Sequence, residues 1–209
     1  MRASEQAYTA LRLEIVEGTL AAGTVLAEVE QSTRLGVSRT PLREALSRLV
    51  ADGLVASHSG RGLVVTDTSI ERITELFEVR QALEEQAARL AARRRDPAVF
   101  VQLQREFATV SVDDIAGYYS LVARLDAAID EATGNAFLVS TLDGVRTHVA
   151  RIRRLAKDNP ERLLQSVGEH LMIVDAIVDG SESLAAHAVQ LHLYRSLKNI
   201  LGSLQKEAA

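Results

Sequence analysis

The side chains best placed to do chemistry stand at the start of one helix. Between Ser38 and Gly53 the apolar residues Leu42, Ala45, Leu46, Leu49 and Val50 recur at i, i+3, i+4, i+7 and i+8, the spacing of a single buried stripe. The opposite face is basic, with Arg39 and Arg43 one turn apart. Ser38 is a suitable N-cap, and Pro41 sits in the first turn, where its missing N–H does no harm. Such a helix end offers guanidinium forks for guanine edges, with hydroxyls and free backbone N–H groups for phosphates. Two arginines alone describe only a solvated face. The neighbouring elements decide the matter.

Upstream, Tyr8, Leu11, Leu13, Ile15 and Val16 predict a helix over Glu5–Glu17, closed by Gly18, and a short helix follows over Glu28–Leu35 with a turn at Gly36. Downstream, Leu54–Ser57 and Leu63–Thr66 flank His58-Ser59-Gly60-Arg61-Gly62, the pattern of a β-hairpin with a glycine-bearing loop. A short helix, a glycine turn, a longer helix with a basic N-terminus and then a Gly-Arg hairpin is the order of a winged helix-turn-helix. In that arrangement the wing reaches DNA beside the reading helix.

Composition narrows the alternatives. The 209 residues contain no cysteine, which excludes disulfides, thiolate metal sites and cysteine nucleophiles. Only 4% of residues are aromatic and there is no Trp, so a mostly α protein is expected. The start MRASEQAYTA has no apolar signal core, and no apolar run approaches the roughly 20 residues that span a bilayer. A soluble, cytoplasmic protein is the expectation. The net charge of −4 argues against nucleic acid until it is divided. Residues 1–66 hold 7 basic and 7 acidic side chains, and the remainder holds 17 and 21, so the acidic surplus lies outside the proposed reader.

A polar run at Thr66-Asp67-Thr68-Ser69 marks a change of pattern. The expected organisation is a DNA-binding domain over 1–66, a linker and helix start over 67–74, and a helical domain over 75–209. Six helices are predicted there: Ser69–Arg95, Pro97–Ala108, Asp113–Thr133, Asn135–Asp158, Pro160–Asp179 and Ser181–Lys206, an antiparallel bundle. On the first, the stripe Ile73, Leu76, Leu83, Ala87 and Leu90 is interrupted by Arg80, with Glu84 one turn on. This is either an internal ion pair or a grip for an anionic effector. Ile115, Tyr118, Val122, Leu125 and Ile129 define the buried side of the third helix, with Asp126 at its edge. His170 falls among Leu163, Leu164, Val167, Leu171 and Val174. His148 and Arg151 share one helix face, where they line the same cavity or a solvated surface.

LGVSRTPLREALSRLVADGLV resembles the signature of the GntR regulators around their reading helix, and the likeness runs from Ile15-Val16-Glu17-Gly18 to Gly60-Arg61-Gly62. The resemblance implies DNA contacts at Ser38, Arg39, Thr40 and Arg43, and in the wing at Ser59, Gly60 and Arg61. One departure is Gln31-Ser32, where the family carries Leu-Ala on the second helix. The helical half is similar to the FCD effector-binding domain, through Phe77-Glu78-Val79-Arg80 with Leu83-Glu84, Glu131-Ala132-Thr133-Gly134-Asn135, Glu169-His170 and His192-Leu193. Many such domains hold a divalent metal through an Asp and a His one turn apart and two further His. Here Val122 takes the place of that Asp and Asp126 that of the first His. The set the resemblance leaves is Asp126, His170 and His192, for zinc or a similar ion.

Together these readings imply an effector-responsive repressor of a pseudo-palindromic operator in double-stranded DNA. A homodimer is expected, because one head touches too few base pairs for useful specificity. The expected effector is a small carboxylate. Two His and a carboxylate also suit a non-haem iron oxygenase, so a metal-dependent enzyme is the rival reading and a direct metal sensor a third.

Overall fold

A computed structural model describes residues 2–155 and 160–207. They form two compact units, Met1–Arg72 with Arg146–Arg154, and Ile73–Val145 with Leu155–Ala209. Arg146–Arg154, within the range read as the helical domain, groups with the first unit by contacts. Polar groups of that stretch find partners in the first unit, as set out below.

The first unit begins with three helices, α1 (Ala3–Val16), α2 (Glu28–Leu35) and α3 (Arg39–Ala51), and a hairpin of β1 (Val55–His58) and β2 (Gly62–Val65). The strands are antiparallel, with Val55 opposite Val65 and His58 opposite Gly62. α3 packs on α1, α2 and β1. Its stripe Leu42, Ala45, Leu46 and Leu49 closes one core with Ala7, Leu11, Ile15, Leu26, Leu54, Val55 and Val65. Burying each Leu contributes about 1.5–3 kcal/mol. Two expected core residues stand out in solvent instead, Leu13 at 53% exposure and Val50 at 40%. The sequence also gave no sign of a third edge. Gly23–Leu26 lies along β2, with Leu26 N–H donating to Leu63 O at 2.8 Å and Val65 N–H to Thr24 O at 2.9 Å. This pins the wing to the helices.

The Gln31-Ser32 departure has a local solution. Gln31 is 3% exposed, yet its Oε1 accepts from Arg34 Nε and Nη2 at 3.0 and 2.8 Å. The same guanidinium forms a two-pronged bridge to Glu14 of α1, at 2.6 and 2.7 Å. A buried amide thus keeps its acceptor satisfied while α2 is tied to α1.

The second unit contains α4 (Ile70–Arg94), α5 (Pro97–Thr109), α6 (Ile115–Thr133), the first part of α7 (Ala136–Leu155), α8 (Pro160–Val178) and α9 (Glu182–Glu207). The predicted helix end at Asp158 and the break at Asn159 lie outside the described residues. Asp96 caps α5 by accepting from Ala98 N–H, ahead of Pro97, and Asp114 caps α6 by accepting from Gly117 N–H. α8 packs on α9 and α5, and α5 packs on α6. Phe77 rather than Leu76 fills the α4 stripe, and Ile115 and Leu164 are exposed.

Candidate DNA interface and effector site

The turn into α3 is made by Gly36, whose φ of +65° places it in the left-handed region that closes α2. Ser38 then occupies the N-cap position with extended backbone. Its side chain makes no capping hydrogen bond within the chain, so the cap predicted for it is positional only. Ser38, Arg39, Thr40 and Arg43 are all exposed at the start of α3. Arg39 has no ion pair among the described residues, whereas Arg43 Nε donates to Glu28 Oε2 of α2 at 2.8 Å. In the wing, Gly60 and Gly62 both have φ of +79°, and the tight turn between them leaves Ser59, Gly60 and Arg61 exposed. All seven residues expected at DNA therefore belong to one unit and face solvent. A buried stripe on the back of α3 holds the helix while its polar N-terminus stays open, the disposition a groove-reading helix needs. Glu28 was missed by the sequence reading. Only the fold brings it beside Arg43.

The back of this unit is fastened by ion pairs and rings. Arg48 stacks its guanidinium 3.8 Å from the Tyr8 ring centre and pairs with Glu5, and Tyr8 donates its hydroxyl to Asp52 at 2.7 Å. Burial, then the hydrogen bond to Asp52, raises the Tyr8 pKa. His148 and Arg151, read from the sequence as lining a cavity or a solvated surface, take part here. His148 Nε2 meets Asp52 O at 2.8 Å, and Arg151 donates to Thr66 Oγ1 at 3.1 Å and to Thr66 O. Arg12 Nη2 donates to Thr147 Oγ1 at 2.6 Å. The helix end at Asp52 leaves a carbonyl in need of a donor, which the imidazole N–H supplies.

Arg80 and Glu84 form an internal pair in the second unit, Nε to Oε1 at 2.6 Å, with side chains 5% and 20% exposed. Arg80 also lies over Phe77, 5.0 Å from the ring centre. Its Nη1 is buried with no hydrogen-bond partner among the described residues. A buried guanidinium donor without an acceptor is costly, and a bound anion would supply one.

A second buried cluster centres on Glu169, which is 1% exposed. Arg162 grips both its oxygens at 2.9 and 2.7 Å, His192 Nδ1 meets Oε2 at 2.8 Å, and Arg195 Nη1 meets Oε1 at 3.3 Å. Burial pushes the Glu169 carboxyl up, but hydrogen bonds from His192 and Arg162 outweigh it and hold the pKa below the ordinary value. Burial lowers the His192 pKa more than Glu169 raises it, so the ring is neutral and donates Nδ1–H to the carboxylate. His170 lies 4.5 Å from His192 between ring centres, stacks on Phe107 at 5.6 Å, and meets the Tyr118 hydroxyl through Nδ1 at 3.1 Å.

Each ring is therefore held by its Nδ1, as metal-ligating histidines are held by their outer partners. Among the described residues no three His, Asp or Glu side chains come together to hold an ion. Asp126 is half-buried on α6, and Val122, one turn earlier, offers no donor. Glu169, Arg162 and Tyr118 went unread as site residues. Arg162 and Glu169 stand seven apart on one helix, and Glu169 belongs to the FCD-like Glu169-His170 segment.

Residues 3–65 match the family of bacterial regulatory proteins termed gntR, and residues 75–195 match the FCD domain. The chain belongs to the GntR family, in the branch that carries an FCD domain. Among its relatives, an Escherichia coli K12 protein named for the L-lactate dehydrogenase operon, as its regulatory protein, is 32% identical over 92% of this chain and 84% of its own length. The E. coli K12 transcriptional repressor RspR is 28% identical over 91% and 85%. In structure the GntR-family chain resembles E. coli McbR/YncC, with a TM-score of 0.71, 20% identity and coverage of 99% of each chain, a likeness of fold. Members of this family regulate transcription and are not enzymes, which removes the oxygenase alternative. No described helix is long and apolar enough to cross a membrane.

Proposed function

We propose that this GntR/FCD regulator is a cytoplasmic homodimeric repressor of a pseudo-palindromic operator, released by a small carboxylate that docks on Arg80. The observation that carries the effector reading is the unpartnered, buried Nη1 of Arg80. A carboxylate oxygen would give that donor its acceptor while Glu84 fixes the other side of the guanidinium. Repression accords with the names of RspR and of a Paenarthrobacter nicotinovorans relative named for repression of a D-xylose utilisation operon. The reader carries no net charge, so one head binds modestly and two are needed. An effector that binds the DNA-competent and incompetent states unequally shifts their populations.

The test is fluorescence anisotropy of the full chain on its own upstream DNA, with added hydroxymonocarboxylates, for wild type and Arg80→Met. Operator release by one of these acids in wild type and not in Arg80→Met is the expected result. Release that survives the substitution would move the effector elsewhere.

A further inference from the structure

A cavity of about 610 Å³ opens between the start of α8 and the second half of α9, away from Arg80 in chemistry as well as in lining. Its walls include Arg162, Arg195, Lys198 and Lys206, with Glu161 the one acidic side chain among them. Arg195, Lys198, Gly202 and Lys206 follow one another at i, i+3, i+7 and i+11, so one face of α9 presents the cations together. Lys198 and Lys206 are exposed and make no ion pair among the described residues. Gly202 stands in the interior of a 26-residue helix, where glycine costs about 1 kcal/mol against alanine. A Cβ at that position would meet nothing within 4 Å, so packing does not require the glycine, and its place on the wall keeps the cavity wide.

We infer that this cavity is a second ligand site, distinct from the one at Arg80, for a small polyanion bearing two or more phosphate or carboxylate groups. The volume lies within the range of small-molecule sites and is larger than a single phosphate or acetate fills. The charge is mostly of one sign. Four cations face Glu161 at the rim and Glu169 beneath, which leaves room for more than one negative charge. The floor is organised in advance, because Arg162 and Arg195 are already fixed by Glu169. Both guanidiniums thus serve two anions at once. A polyanion in the cavity draws on the same donors that hold Glu169, and Glu169 in turn holds His192. Occupancy of the outer site is thereby coupled to the buried cluster.

Isothermal titration calorimetry on the full chain, with pyrophosphate and with citrate against chloride at matched ionic strength, tests this. One site per chain for at least one of the two anions is expected. The double variant Lys198→Ala/Lys206→Ala should weaken that binding by about tenfold or more, roughly 1.4 kcal/mol, while Arg80→Met leaves it unchanged. Preference for pyrophosphate or for citrate tells phosphate from carboxylate chemistry. Absence of binding by both anions, equal binding by the double variant, or loss of binding in Arg80→Met would each overturn the site. Glu169→Gln, checked for folding by circular dichroism, removes the competing charge and should tighten binding severalfold. Unchanged or weaker affinity in that folded variant would overturn the sharing of Arg162 and Arg195.

Discussion

Arg39 and Arg61 of the first unit stand in solvent with no ion pair among the described residues, whereas Arg80 and Arg162 of the second lie in the interior against Glu84 and Glu169. The same side chain serves opposite ends. In the reader an exposed guanidinium costs the fold nothing and stays available to a phosphate or a base edge. In the helical unit a desolvated guanidinium is stable only while its acceptors are in place, so a missing acceptor marks a ligand position. The arginines expected at DNA and the one proposed to hold the carboxylate effector thus differ in burial.

The strongest way to break this contrast is Glu169→Ala. It leaves Arg162 and His192 without their buried carboxylate and should cost about 3–5 kcal/mol in denaturant unfolding. Arg39→Ala should leave stability within about 0.5 kcal/mol of wild type. A cost of similar size for both would refute the distinction.

Next in size is the response to acid. The Glu169 pKa is lowered in the fold, so its contribution is complete above the ordinary glutamate value of 4.5 and is lost as pH falls below it. The His192 pKa is lowered too, so the unfolded chain takes up a proton near its ordinary 6.5 while the folded chain does not. Thermal midpoints should therefore fall steadily from pH 7 to pH 4. His192→Gln should flatten the upper part of that fall.

The reader offers the converse measurement. Arg39→Ala should weaken operator binding by about 1–3 kcal/mol, with the loss concentrated at one base pair if the contact is to a base. A loss that is uniform across sequences and lowers the salt slope would make it a phosphate contact. Smallest of all is Gln31→Leu, which restores an apolar residue to α2 and leaves Arg34 its bridge to Glu14. Unfolding should move by less than about 1 kcal/mol, in either direction.

Much of this molecule was legible before any coordinates. Helical periodicity in Leu42–Leu49 and the glycines around Arg61 defined the reader, because both are local signals that neighbours three or four residues apart can carry. The run of helices was legible for the same reason. Exposure was harder to read, since Leu13, Val50 and Leu164 fit an apolar stripe and yet face solvent. Arg80 and Glu84, one turn apart, could be paired from spacing alone.

What tertiary structure decided were the partners that lie far apart in the chain. His148 at the end of α3, Glu28 beside Arg43, and Glu169 beside His192 and Arg195 join residues from separate helices. The sequence determined which side chains each helix carries and which stripe it tends to bury. Only packing sets the last few ångströms between helices, and hydrogen bonds and ligand sites depend on those.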